Sequence, residues 1–176
     1  DPFTQQTKGE FYPTEVTFRK NSNGMDITES WTNITRDKQD KVISYDYTRE
    51  VEGEFIEKEE RSYTIDYYTN HEGKDVIRTN YDVNYYKSQN GIEEKYTQKV
   101  QESINLNKKG YIEVISATID HLNDNATTPR TSTSRRTFTY NGDFCTGSIY
   151  MDDNTQVTYK YNWSAYQLKN ITILRE

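Results

Sequence analysis

The sequence predicts an all-β fold: an antiparallel up-and-down meander of about ten long strands, curled into an open or closed barrel. Three observations carry that reading. Apolar and aromatic residues alternate with polar ones along almost every segment, and clusters of Asn, Gly and Asp separate the segments. No stretch places apolar residues three and four apart, as an amphipathic helix requires.

The elements follow in chain order. Residues 1–14 hold two of the three prolines and no sustained period, so they read as an N-terminal arm or tail. Residues 15–176 then form a single β-meander or barrel-like domain. Asn21-Ser22-Asn23-Gly24, Asn70-His71-Glu72-Gly73, Gln89-Asn90-Gly91 and Asn141-Gly142-Asp143 are turn signals, because Asn and Gly accept positive φ at low cost. Asp37–Asp40, Asn107–Gly110 and Asp152–Thr155 are softer turns of the same kind.

Between the turns the period is two. Ile43, Tyr45 and Tyr47 share a face, as do Tyr63, Ile65 and Tyr67. Ile77, Tyr81, Val83 and Tyr85 repeat the pattern, followed by Ile92, Tyr96, Val100 and Ile104. Ile115 with Ile119, Phe138 with Tyr140, Val157 with Tyr159 and Tyr161, and Ile171 with Ile173 complete the series. Residues 123–135 break it with a Ser/Thr/Asn-rich stretch that reads as the longest loop.

Composition narrows the class further. Only 32% of residues are apolar, yet 14% are aromatic and 16 are tyrosines. A thin core of tyrosine and isoleucine is therefore expected, each ring burying area while keeping a polar handle. Acidic residues outnumber basic ones 28 to 22, which argues against nucleic acid, whose phosphates call for a basic stripe. The run Glu57-Lys58-Glu59-Glu60-Arg61 reads as a solvated face.

No apolar run reaches the roughly 18–20 residues of a membrane helix. A membrane-spanning barrel is disfavoured because Glu57, Glu59 and Arg61 fall in phase with Tyr63 and Ile65, on the face lipid would have to cover. Asp1 stands where an initiator Met would be, so the chain reads as a mature or trimmed form after removal of an export signal. An extracytoplasmic place, in the periplasm or on the cell surface, follows as the expectation.

The search for chemistry yields little. His71 and His121 lack any flanking motif, and Cys145 reads as a small, buried hydrophobe. Asp152-Asp153-Asn154 lacks the spaced ligands of a calcium loop. No metal, no cofactor and no enzymatic activity are expected. Sequons begin at Asn33, Asn125, Asn162 and Asn170 and are attributed to composition. The candidate ligand surface is the aromatic face: Tyr45, Tyr47, Tyr63, Tyr67, Tyr81, Tyr85 and Tyr96, with Trp31 and Trp163. It would bind a hydrophobic small molecule or a glycan, or simply form structure. The competing reading is a secreted glycan hydrolase using two facing carboxylates roughly 5–9 Å apart.

The C-terminal third carries a resemblance. Tyr159-Lys160-Tyr161-Asn162-Trp163-Ser164 followed by Leu168 and Ile171, and Phe138-Thr139-Tyr140-Asn141-Gly142 followed by Ile149, form hairpin repeats. Over residues 137–173 the chain resembles uncharacterised secreted lipoproteins of gut Bacteroidales with a porin-like β fold, whose repeats look like tyrosine–aspartate repeats. Ala165-Tyr166 stands where those repeats usually carry glycine, and Phe144-Cys145 where leucine is common. The resemblance implies a non-enzymatic cell-envelope domain. It also implies a membrane association only through a lipid-bearing cysteine upstream of the sequence shown.

Overall fold

The computed structural model describes residues 13–122 and 130–176. Its strands are β1 (Val16–Ser22), β2 (Met25–Arg36), β3 (Val42–Glu52), β4 (Ile56–Thr69), β5 (Asp75–Gln89) and β6 (Ile92–Leu106). They continue as β7 (Ile112–Leu122), β8 (Arg130–Asn141), β9 (Phe144–Asp152), β10 (Gln156–Ser164) and β11 (Gln167–Arg175). All 11 lie in one sheet in sequence order, so the predicted meander stands. β1 and β11 are the two end members of that order, and the sheet is not closed among the described residues. The described residues contain no helix, hence none long and apolar enough to cross a membrane.

Turn chemistry explains the punctuation. Asn23-Gly24 and Asn90-Gly91 have φ of 52° and 76°, and of 53° and 77°, the paired positive values of a type I′ hairpin turn whose twist suits flanking strands. Asp37, Asn70 and Asn107 each open the same wider turn. Their backbone N–H donates to the carbonyl of Lys41, Lys74 or Tyr111 at 2.9, 2.8 or 2.7 Å. Each side-chain Oδ1 also accepts two backbone N–H groups across its own loop. That side-chain mimicry of a backbone turn is what Asn and Asp do best.

The loop expected over 123–135 does not include residues 130–135. Residues 123–129 lie outside the described residues, and from Arg130 onward the chain is strand β8. Thr131 Oγ1 donates to Asp120 at 2.8 Å, and Thr133 bonds Asp153 through both its N–H and its hydroxyl. β-branched threonines with such cross-strand partners favour the sheet over a loop. Of the expected arm, residues 1–12 are likewise outside the described ones, while the Thr14 carbonyl accepts the Ile34 N–H at 3.2 Å.

Contacts divide the chain into two units: residues 1–66, 79–100 and 121–130, and residues 67–78, 101–120 and 131–176. In the first unit the buried apolar residues are Ile34, Val42, Val51, Val83 and Val100; in the second, Val76. The expected tyrosine core is thus corrected. Every described tyrosine retains exposure, and no large side chain is fully buried. Valine is short enough to lie low on the sheet while longer neighbours arch over it. Val51, for example, sits between Ile27 and Glu57 in the cross-strand register.

Candidate functional site

In the first unit, register assembles one chemically distinct face. Trp31 pairs with Tyr47 and Tyr47 with Arg61; Glu29 pairs with Arg49 and Arg49 with Glu59; Tyr45 pairs with Tyr63. Paired residues share a face, so aromatic and charged side chains stand together. β4 shows the division directly. Glu57, Glu59, Arg61, Tyr63 and Ile65 are half-buried, whereas Lys58, Glu60, Ser62 and Thr64 are exposed.

The rings stack on one another. Tyr63 lies between Tyr45 and Tyr81, with centroids 4.4 and 4.5 Å away. Tyr85 stacks on Tyr96 at 4.5 Å, and Trp31 leans on Tyr47 at 5.4 Å. Arg61 places its guanidinium 5.6 Å from the Tyr47 centroid and 5.4 Å from that of Tyr81, within cation–π range of both.

Charge-assisted bonds tie the rings to the acids. Tyr47 donates to Glu29 at 2.9 Å and Tyr85 to Glu57 at 2.7 Å. Arg49 pairs with Glu57. Arg61 reaches both Glu59 oxygens at 3.2 Å and donates to the Tyr63 hydroxyl at 2.8 Å. Burial, then the Glu29 bond and charge, push the Tyr47 hydroxyl well above its ordinary pKa. Burial and Glu57 do the same to Tyr85, and burial with the Glu59 and Glu94 charges raises Tyr96. Burial alone would lower the Arg61 pKa, but its bonds to Tyr63 and Glu59 and the Glu59 charge outweigh it and raise the pKa further.

Seven of the nine aromatic candidates therefore meet on this face: Trp31, Tyr45, Tyr47, Tyr63, Tyr81, Tyr85 and Tyr96. Tyr67 and Trp163 belong to the second unit. There Trp163 meets Phe144 edge-on at 5.2 Å and donates to the Cys145 carbonyl at 2.8 Å. It borders an open recess of about 280 Å³ with Asn141, Phe144, Thr146, Tyr161, Asn162 and Ala165.

The partners that sequence reasoning missed are Glu29, Arg49, Glu57, Glu59 and Arg61. The run from Glu57 to Arg61 was assigned to a solvated face, yet only its even-numbered members are exposed. The phase with Tyr63 was the available signal. A polar residue beside tyrosines on a sheet joins their hydroxyls rather than breaking the pattern.

The remaining candidates for chemistry are accounted for locally. Asp152 accepts from Asn154 N–H, Thr155 N–H and the Thr155 hydroxyl at 2.8–2.9 Å, and these bonds lower its pKa. It closes its own turn. His121 Nδ1 lies 3.2 Å from Gln98 Nε2, His71 is an exposed turn residue, and half-buried Cys145 contacts the Gly147 carbonyl. No cluster of three or more His, Cys, Asp or Glu suited to a metal exists among the described residues. Asn33 and Asn162 donate to Asp46 and Asn170 respectively; Asn125 lies outside the described residues.

Fold and site together define an antiparallel meander bearing a tyrosine–arginine–glutamate face. The chain matches no protein-family model, no curated protein and no solved structure.

Proposed function

We propose that this is a non-catalytic domain of the cell envelope, structural or ligand-binding, that engages a hydroxyl-rich ligand such as a glycan through the polar tips of its tyrosine face. The observation that carries the reading is the commitment of the acids. Glu29 is held by Tyr47, Glu57 by Arg49 and Tyr85, and Glu59 by Arg61. Carboxylates fixed in this way serve as hydrogen-bond acceptors and are poorly suited to shuttle protons, which supports binding over a glycan hydrolase. Mutual stacking also covers both faces of Tyr63, so hydroxyls and charges are offered where an apolar ligand would want ring surface. The extracytoplasmic setting rests on the resemblance of residues 137–173 to envelope lipoproteins.

Affinity electrophoresis of the purified chain through gels containing soluble polysaccharides tests this reading. Retardation by at least one polysaccharide is expected, reduced about tenfold when Tyr47 and Tyr85 are both changed to Phe, since one or two hydrogen bonds are lost. Release of reducing ends from the retained polysaccharide would sink the non-catalytic reading. Uniform mobility across a broad panel of polysaccharides would sink the ligand.

A further inference from the structure

The edge strand β11 carries a second surface. All nine of its residues are exposed, including Leu168, Ile171, Ile173 and Leu174 at 45–56%. Among the described residues its only hydrogen-bonded neighbour is β10. Edges of this kind are ordinarily blunted by proline, charge or brevity. β1, the other end member, has Arg19 and Lys20 at the middle of seven residues. β11 has an apolar run, Ile171-Thr172-Ile173-Leu174, with no proline and no charge inside it.

Backbone chemistry says what such an edge accepts. Glu176 N–H donates to the Gln156 carbonyl at 2.9 Å, and Gln156 N–H donates back at 3.3 Å. In an antiparallel ladder, residues that exchange bonds alternate with residues whose N–H and C=O point away. Following the register from Glu176, Leu174 and Thr172 face β10, opposite Thr158 and Lys160. Arg175, Ile173 and Ile171 turn their donors and acceptors outward. These three residues are evenly spaced about Ile173, so the pattern is its own complement under a two-fold axis.

We propose that β11 pairs antiparallel with the β11 of a second copy of this chain, Ile173 opposite Ile173 and Ile171 opposite Arg175. Each facing pair exchanges two backbone bonds, so every outward group of the run is satisfied. Ile173 of both copies meets at the axis, and Leu174 lies against Thr172. Sliding by one residue, with Thr172 on the axis, would set Lys169 opposite Arg175 and is disfavoured by like charge. One strand from each copy makes the contact, so the dimer is expected to be weak and reversible, in the micromolar class.

Sedimentation velocity of the full chain from about 1 to about 300 µM spans that class. A monomer–dimer equilibrium is expected. Ile173→Pro removes an outward N–H while leaving the bonds to β10 in place, and should weaken the dimer at least tenfold with an unchanged far-ultraviolet spectrum. Ile173→Lys sets two cations face to face at an exposed position, and should do the same if the proline variant fails to fold. A monomer throughout the range overturns the proposal. So does an open-ended assembly, or a dimer indifferent to the folded variants.

Discussion

The β2–β6 face of the first unit and the β8–β11 strands of the second solve the same problem differently. Both have few large apolar residues to bury. The first covers its valines with a bonded network of tyrosine, arginine and glutamate. The second relies on close backbone approach at Gly147 and Ser148, and leaves Ile149, Met151, Ile171, Ile173 and Leu174 exposed. A Cβ on Gly147 would stand 2.8 Å from the Tyr159 carbonyl oxygen, and buried Ser148 Oγ lies 3.0 Å from the Tyr161 hydroxyl. A half-covered sheet can thus be held by side-chain bonds above it or by tight spacing within it.

The largest effect should come from cutting the first network at its centre. Arg61→Ala removes two cation–π contacts and strands Glu59, whose side chain is 18% exposed. The expected cost is about 2–3 kcal/mol by denaturant unfolding, below the range for fully buried pairs because Arg61 is partly solvated. Lys58→Ala on the opposite, exposed face should cost under about 0.5 kcal/mol, its pairs with Glu50 and Glu60 being solvated. Equal losses from the two would erase the distinction between the faces.

Packing gives the next contrast. Val51→Ala empties a 2% exposed site and should cost about 2 kcal/mol, as deletion of two buried methyl groups usually does. Gly147→Ala should cost about 1–3 kcal/mol, because the new methyl meets backbone oxygen. Ile149→Ala, on an exposed position of the same strand, should fall within about 0.5 kcal/mol of the parent. Thermal melts of the three variants decide whether spacing or side-chain cover matters more in each unit.

A gain of stability is expected in the second unit. Ala165 has φ of 53°, a conformation that costs an L-residue about 1 kcal/mol and glycine almost nothing. Ala165→Gly should therefore raise stability by up to about 1 kcal/mol, measured by chemical denaturation. A loss would show that the Ala165 methyl is packed in the recess it borders.

The smallest effects are pH-dependent: raised tyrosines occur in both units, whereas the lowered aspartates belong to the second. Tyr47 and Tyr85 ionise above their ordinary value of 10.0 when folded. Unfolded tyrosine then loses its proton first, so the stability they contribute is intact below pH 10 and declines as pH rises beyond it. Replacing both by Phe should flatten that alkaline decline, part of which Tyr111, Tyr140 and Tyr150 will retain because they shift the same way. Asp143 and Asp152 of the second unit are lowered from 3.8. Their contribution is present above that value and disappears as pH falls through the folded pKa. Asp152→Asn should accordingly flatten the acid limb of a stability–pH curve and also relieve a small part of the alkaline decline, because the Asp152 charge and its bond from the Tyr150 hydroxyl help to raise Tyr150.

The sequence alone determined the strands, the hairpins and which side chains share a face. Those are local matters: alternation fixes the face of Tyr45, Tyr47 and Tyr63, and Asn23-Gly24 or Asn90-Gly91 can turn only one way at low cost. Residues 130–135 were misread because Ser/Thr-rich composition is common to loops and edge strands, and the Asp120 and Asp153 partners that select the strand are remote in sequence. Only the tertiary structure decided that Ile34 and five valines, and not tyrosine, occupy the buried apolar positions, and that Glu29, Arg49, Glu57, Glu59 and Arg61 bond to the rings and to one another instead of facing solvent. Burial depends on side-chain length against neighbours brought in by cross-strand register. A chain read in one dimension does not contain those neighbours.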